Sequence, residues 1–237
     1  MKSLRMLYIY AVIGLLFAAS AAAQSESVSI VTADGVVLSG TLYKASASGA
    51  PAVICLHQWR SDRSSYSALA AELHKAGYNV LTIDARGYGG STKTEAGKRV
   101  RPDRDIQQDV AAAVKYMKDM GGSKIGLIGA SYGSSNAVIF ASKASEISSL
   151  VLLSPGLNYF NQLPTEGPVA KLKGRAVFAA ASKEDVRSLE AVNRYKEILG
   201  ADIDVKIYDA AGHGTDMFDA EPGLKDAIKS FLDARLR

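Results

Sequence analysis

The chain reads as a doubly wound α/β domain with a mostly parallel sheet and an N-terminal β-hairpin, and three observations predict that class. From Ala52 onward, strand-like apolar runs alternate with helix-like amphipathic stretches. The runs are continuously apolar rather than alternating, as expected of parallel strands covered on both faces. One of them, beginning at Ile125, stops at Gly129-Ala130-Ser131-Tyr132-Gly133, a Gly-x-Ser-x-Gly turn that passes straight into a helix-like segment. With 48% hydrophobic and 22% charged residues, the 237-residue chain has material for one such domain and its core.

The first 23 residues differ in kind. Lys2 and Arg5 precede an uncharged run that ends in Ser20-Ala21-Ala22-Ala23, the pattern of a secretory signal cleaved after Ala23. The domain is then 24–237, an exported periplasmic or secreted protein without stable membrane insertion. Loss of Lys2 and Arg5 lowers the formal charge from +4 to +2, which excludes a nucleic-acid footprint. A single cysteine, Cys55, permits no internal disulfide, and its setting in Ala52-Val53-Ile54-Cys55-Leu56 makes it a small core residue.

Alternation on both sides of Ala33-Asp34-Gly35 predicts a hairpin over Ser27 to Tyr43. Ala52 to Leu56 is the next strand, followed by the polar loop His57 to Arg63 and a helix over Ser65 to Ala76 with Leu69, Ala70 and Leu73 on one side. Tyr78 to Asp84 is a buried strand running into the glycine-rich loop Ala85 to Ser91. Because no helix opens directly after those glycines, a dinucleotide-phosphate site is excluded. Ile106, Val110, Val114 and Met117 share one face of a helix over Asp103 to Met120. The elbow strand and its helix follow, then a strand over Ile147 to Ser154. Pro155 to Gly174 has little periodicity and is expected to cover the site lightly. Arg175 to Ala181 is a strand, Arg187 to Leu199 a helix, Asp204 to Tyr208 the last strand, and Glu221 to Leu236 a closing helix.

In such sheets chemistry gathers in loops at the carboxyl ends of strands. Ser131 is the candidate nucleophile, and the amide of Tyr132, at the start of its helix, is placed to receive an oxyanion. A serine hydroxyl needs a base, and His213 in Ala210-Ala211-Gly212-His213-Gly214 stands after the last strand, where a base belongs. His57 is expected to brace its loop, and His74 to lie on a helix surface. The base needs an anion, and the loop after Ala181 offers Glu184 and Asp185; Asp185, nearer the next helix, is the choice. Asp84 is assigned to bracing the glycine-rich loop. Three isolated histidines and one buried cysteine form no metal-ligand spacing, and no cofactor is expected.

The order Ser131, Asp185, His213, together with the elbow, Asp84-Ala85-Arg86-Gly87-Tyr88-Gly89-Gly90-Ser91 and Ala211-Gly212-His213-Gly214, resembles the α/β-hydrolases, in particular their dienelactone-hydrolase-like or esterase-like branch. The resemblance implies a second oxyanion amide at Trp59, in the loop after the third strand. There the sequence departs from the commoner His-Gly pattern, because Gln58 occupies the glycine position. Gln58 is therefore expected at the substrate, blocking the oxyanion point or supplying a donor, and Tyr159, Phe160 and Trp59 are expected to line the acyl pocket. The implied function is a serine hydrolase, carboxylesterase-like, that cleaves small-molecule esters with small or medium acyl groups through an acyl-enzyme. A peptidase or acyltransferase would use the same residues, and a non-catalytic binding protein on the same scaffold is the opposing class.

Overall fold

A computed structural model of the chain describes residues 25–237; the expected leader and its cleavage point lie outside the described residues. The hairpin is formed by β1 (Ser25–Val31) and β2 (Val36–Tyr43), paired antiparallel with Ile30 opposite Leu38. Gly35, at φ 79°, makes its turn. The remaining strands of the main sheet are β3 (Ala52–Leu56), β4 (Asn79–Ile83), a two-residue β5 (Lys93–Thr94), β6 (Ile125–Ala130), β7 (Ile147–Leu153), β10 (Ala176–Ser182) and β11 (Ile203–Tyr208). A small separate hairpin, β8 (Asn158–Tyr159) with β9 (Leu163–Pro164), lies between β7 and β10 in sequence.

The sheet order is β1-β2-β4-β3-β6-β7-β10-β11, with β5 on β2. Pairing is parallel from β4 through β11 and antiparallel at β1–β2–β4. From β3 the chain first winds outward to β4, then returns to β6 and proceeds the other way through β7, β10 and β11. The winding direction therefore reverses between β3 and β6, and the loops leaving those two strands carry Trp59 and Ser131.

Both faces of the sheet are covered, which is why the strands read as unbroken apolar runs. Ala52, Ile54 and Leu56 of β3 join one core with α2 (Gln107–Asp119), α3 (Tyr132–Ala141) and α5 (Val186–Leu199). Val53 and Cys55 join the other, with α1 (Ser67–Lys75) and α7 (Gly223–Leu236). Cys55 is fully buried, and burial pushes its thiol pKa far up, as suits a core residue. Asp84 braces the glycine-rich loop as expected: its carboxylate accepts from the Arg63 and Gly90 amides at 2.8 Å each and pairs with the Arg63 guanidinium.

Three local expectations are corrected. The α2 helix starts at Gln107 rather than Asp103, because the Asp103 side chain captures the amides of Arg104 and Asp105 and Asp105 captures that of Gln107. Such local side-chain acceptors compete with helix formation. The closing helix, α7, begins at Gly223, two residues later than expected and just after Pro222, and a separate short helix, α6 (Met217–Ala220), precedes it. His74 is half-buried rather than on the surface, its ring 6.2 Å from that of Tyr43. The stretch 155–174 forms the β8–β9 hairpin and α4 (Glu166–Ala170). Among the described residues no helix is long and apolar enough to cross a membrane.

Candidate active site

Ser131 sits between β6 and α3 with φ 53° and ψ −121°, a conformation that costs a non-glycine residue about 1–3 kcal/mol. The neighbouring structure holds it there. Its amide donates to Leu153 O at 2.8 Å, and its carbonyl accepts from the Ser134 hydroxyl at 2.6 Å. The glycines on either side are sterically required. A Cβ on Gly129 would stand 2.5 Å from Gly133 O, and one on Gly133 would stand 2.4 Å from Leu56 O. The strand, the turn and β3 thus approach one another as closely as backbones can.

The loop carrying His213 leaves β11 and is held by four side chains at the carboxyl ends of three other strands, β3, β7 and β10. Ala211 N–H donates to Ser182 Oγ at 2.9 Å, Gly212 N–H to Glu184 Oε1 at 2.8 Å, Gly214 N–H to Ser154 Oγ at 2.8 Å, and Thr215 N–H to Gln58 Oε1 at 2.8 Å. A Cβ built on Gly214 would lie 3.5 Å from Ala130 Cβ, so the residue after the histidine packs beside the residue before the serine. His213 Nδ1 donates to Asp185 Oδ2 at 2.6 Å, which leaves Nε2 with its lone pair. Burial opposes ionisation of Asp185, but the hydrogen bonds from His213 and Ser188 outweigh it and hold the carboxyl below its ordinary value. Asp185 also caps α5 through Ser188 N–H at 3.4 Å. Of the two acids considered, Asp185 meets the imidazole and Glu184 serves the loop backbone.

Neither the Tyr132 N–H nor the Trp59 N–H donates to an acceptor among the described residues. The peptide that contains the Trp59 amide is fixed from its other side. Gln58 O accepts from His57 Nδ1 at 2.8 Å and from Ser61 N–H at 3.1 Å, while His57 Nε2 accepts from Ala85 N–H at 3.0 Å. Both ring nitrogens are thus committed with a single proton, and burial lowers the His57 pKa, so the ring is neutral. In a trans peptide, holding the carbonyl one way points the next N–H the other way. His57 accordingly braces the loop as expected, and what it braces is the Trp59 amide.

Ser131, Leu157, Tyr159, Phe160 and Arg187 help line a cavity of about 700 Å³. Tyr159 lies with its ring against Gly156, where a Cβ would come within 2.6 Å of it, and its hydroxyl donates to Ser154 O at 2.9 Å. The pKa of that phenol is raised, chiefly by burial. Among the described residues no hydrogen bond joins Ser131 Oγ to His213. Phe160, at φ 58° on the β8–β9 turn, packs with its ring centroid 4.9 Å from that of Trp59 at a tilt of 55°, and the Arg104 guanidinium lies 4.7 Å over its ring. Two expectations change here. Trp59 backs the wall through Phe160, Tyr88 and Tyr132 instead of facing the cavity, and Gln58 turns its side-chain oxygen away to Thr215. Ser154, Ser182 and Glu184 hold the histidine loop without having been singled out for that task. Their partners lie 28 to 60 residues away in sequence, and no local pattern signals such pairings.

An elbow serine at the winding reversal, and a histidine–aspartate pair on the loops after β11 and β10, define the class of protein. A model of the α/β hydrolase fold family matches residues 51–193, and the chain belongs to that family. An uncharacterized protein of Mycobacterium tuberculosis is 31% identical over 142 residues, 58% of this chain and 48% of its own, so the match spans about half of that relative's length. The esterase Pf2001 of Pyrococcus furiosus superposes with a TM-score of 0.74 at 25% identity, over 90% of this chain and 93% of its own. A dienelactone hydrolase from Anabaena variabilis shares the fold at 19% identity, with a TM-score of 0.71 over 90% of this chain and 99% of its own.

Proposed function

We propose that the protein is a serine hydrolase that cleaves a carboxylic ester through an acyl-enzyme. The observation that carries this reading is the 2.6 Å pairing of His213 Nδ1 with Asp185, which leaves Nε2 basic on a loop packed beside the strained Ser131 turn. Likeness to an esterase over nine-tenths of the chain supports it.

In this mechanism Nε2 takes the Ser131 proton as Oγ attacks the ester carbonyl. The Tyr132 and Trp59 amides receive the resulting oxyanion, and Asp185 stabilises the imidazolium. Collapse breaks the bond to the alkoxide, which leaves with the proton from Nε2. A water molecule then repeats the sequence at the acyl carbon: it gives its proton to Nε2, and the Ser131 oxygen leaves with that proton. The Ser131 hydroxyl pivots about one side-chain torsion, and hydrogen bonds of this kind tighten when substrate binds. The aromatic cavity suits a small or medium acyl group. The leader pattern assigns the chain to the periplasm or exterior.

The test is hydrolysis of p-nitrophenyl esters of graded acyl length, with fluorophosphonate labelling alongside. Activity and labelling that both vanish in Ser131→Ala are expected. A Ser131→Ala protein that still hydrolyses the esters refutes the assignment.

A further inference from the structure

We propose that Gln58 is a positioning residue that ties the base loop to the oxyanion loop, taking up through its side chain a task that glycine at this position cannot perform. The assignment rests on the serine-hydrolase reading above. Gln58 belongs to the loop after β3, whose next residue offers the Trp59 amide to the oxyanion. Its own carbonyl is locked by His57 and Ser61. Its side chain reaches the loop after β11, where Oε1 accepts from both the Thr215 N–H at 2.8 Å and the Thr215 hydroxyl at 3.1 Å. Nε2 reaches Asp216 Oδ1 at 3.4 Å, a weak contact.

The fit between the two loops is specific to these residues. Gly214 adopts φ 63°, and a Cβ there would meet Gln58 Oε1 at 2.0 Å and Gln58 Cδ at 3.0 Å. The large side chain at 58 is accommodated because residue 214 has none. Thr215, which donates both bonds, is buried and stands two residues from His213. The other three ties of the base loop come from the loops after β7 and β10: Ser154, Ser182 and Glu184. Among the described residues Gln58 supplies the one hydrogen-bonded tie from that loop to the loop directly after β3, where one of the two oxyanion donors resides. Removing this tie leaves His213 bonded to Asp185 but lets the imidazole drift relative to Ser131 and the oxyanion point. Misplacement of about 1 Å in such an arrangement costs about 100-fold in rate.

The experiment compares Gln58→Met, which keeps the length and removes the acceptor, with the double change Gln58→Glu plus Asp216→Asn, which keeps the acceptor and avoids a like-charge pair. Three quantities are measured on each full chain: the rate of fluorophosphonate labelling, amide hydrogen exchange at Thr215, and the thermal midpoint. We expect Gln58→Met to label at least about tenfold more slowly with faster Thr215 exchange and a near-native midpoint, and the double variant to label within about threefold of wild type. A merely structural role would move the midpoint and leave labelling of the folded protein unchanged. Labelling of Gln58→Met at the wild-type rate overturns the proposal, as does unchanged Thr215 exchange. If Gln58→Met does not fold, Gln58→Gly is measured against the same outcomes. A wild-type chain that the probe does not label is a failure of the hydrolase reading instead, and Thr215 exchange then decides whether Gln58 holds the loop.

Discussion

Asp185→Asn isolates the charge behind the histidine, because the structure gives that side chain two tasks that asparagine separates. The first is the α5 cap, in which Oδ1 accepts from Ser188 N–H; asparagine ranks with aspartate at this position, so the helix start is retained. The second is the 2.6 Å bond to His213 Nδ1. With charge centres about 4 Å apart and an effective dielectric of about 20, the carboxylate stabilises an imidazolium by about 4 kcal/mol. At about 1.4 kcal/mol per tenfold, that is a loss of about a thousandfold in turnover. Loss of control over the tautomer adds to it, and about 10⁴-fold is the general figure for this change in a serine–histidine–aspartate site. The thermal midpoint should fall by no more than about 4 °C, the equivalent of about 1 kcal/mol for a domain of this size. Glu184→Gln is the control. Its carbonyl still accepts from Gly212 N–H, so turnover should stay within about threefold of wild type. The assay is kcat and KM on a p-nitrophenyl ester, with a thermal melt of each variant. Comparable losses in the two variants would refute the division of labour between these neighbouring acids, and a loss confined to Glu184→Gln would reverse it.

Gly129→Ala and Gly133→Ala should each lower stability by about 1–3 kcal/mol and slow probe labelling, because the new methyl meets backbone within 2.5 Å; melting and labelling curves that match wild type would contradict the elbow packing. Ser131→Gly should match or exceed the wild-type midpoint, since it removes the Cβ from a φ of 53°; a clear drop would mean that the turn is not strained. Asp34 is held at about 2, first by its hydrogen bond with Arg86, below its ordinary 3.8. A depressed carboxyl stabilises the fold above the unfolded value and loses that effect as pH falls toward the folded one, so the urea midpoint should drop between about pH 4 and pH 2, and less steeply in Asp34→Asn. Cys55 should react with a thiol reagent only after denaturation, because it is fully buried. Mass spectrometry of the exported chain should give an N-terminus at Gln24, and an intact Met1 would contradict the leader reading.

The α/β class, the order of elements and the elbow were legible in the sequence because each rests on short-range information. Unbroken apolar runs such as Ile125 to Gly129 follow from cover on both sheet faces, and Gly129 and Gly133 flank a serine in a turn where no side chain fits beside it. The pairing of residues from separate loops was decided only by the tertiary structure. Glu184 and Asp185 differ by one position, and which of them meets His213 depends on where the loop from β11 arrives beside the loop from β10. Gln58 looked like a substrate residue because it stands at the glycine position just before Trp59, the implied oxyanion donor, yet its side chain is used 157 residues away on Thr215. The α2 start moved for the opposite reason: Asp103 and Asp105 bind nearby amides more readily than a helix there would, a local competition that apolar periodicity does not register. Periodicity reports which face of an element is buried. The distances that make a reactive site come from how five loops at one edge of the sheet fold over one another, and that depends on all of them at once.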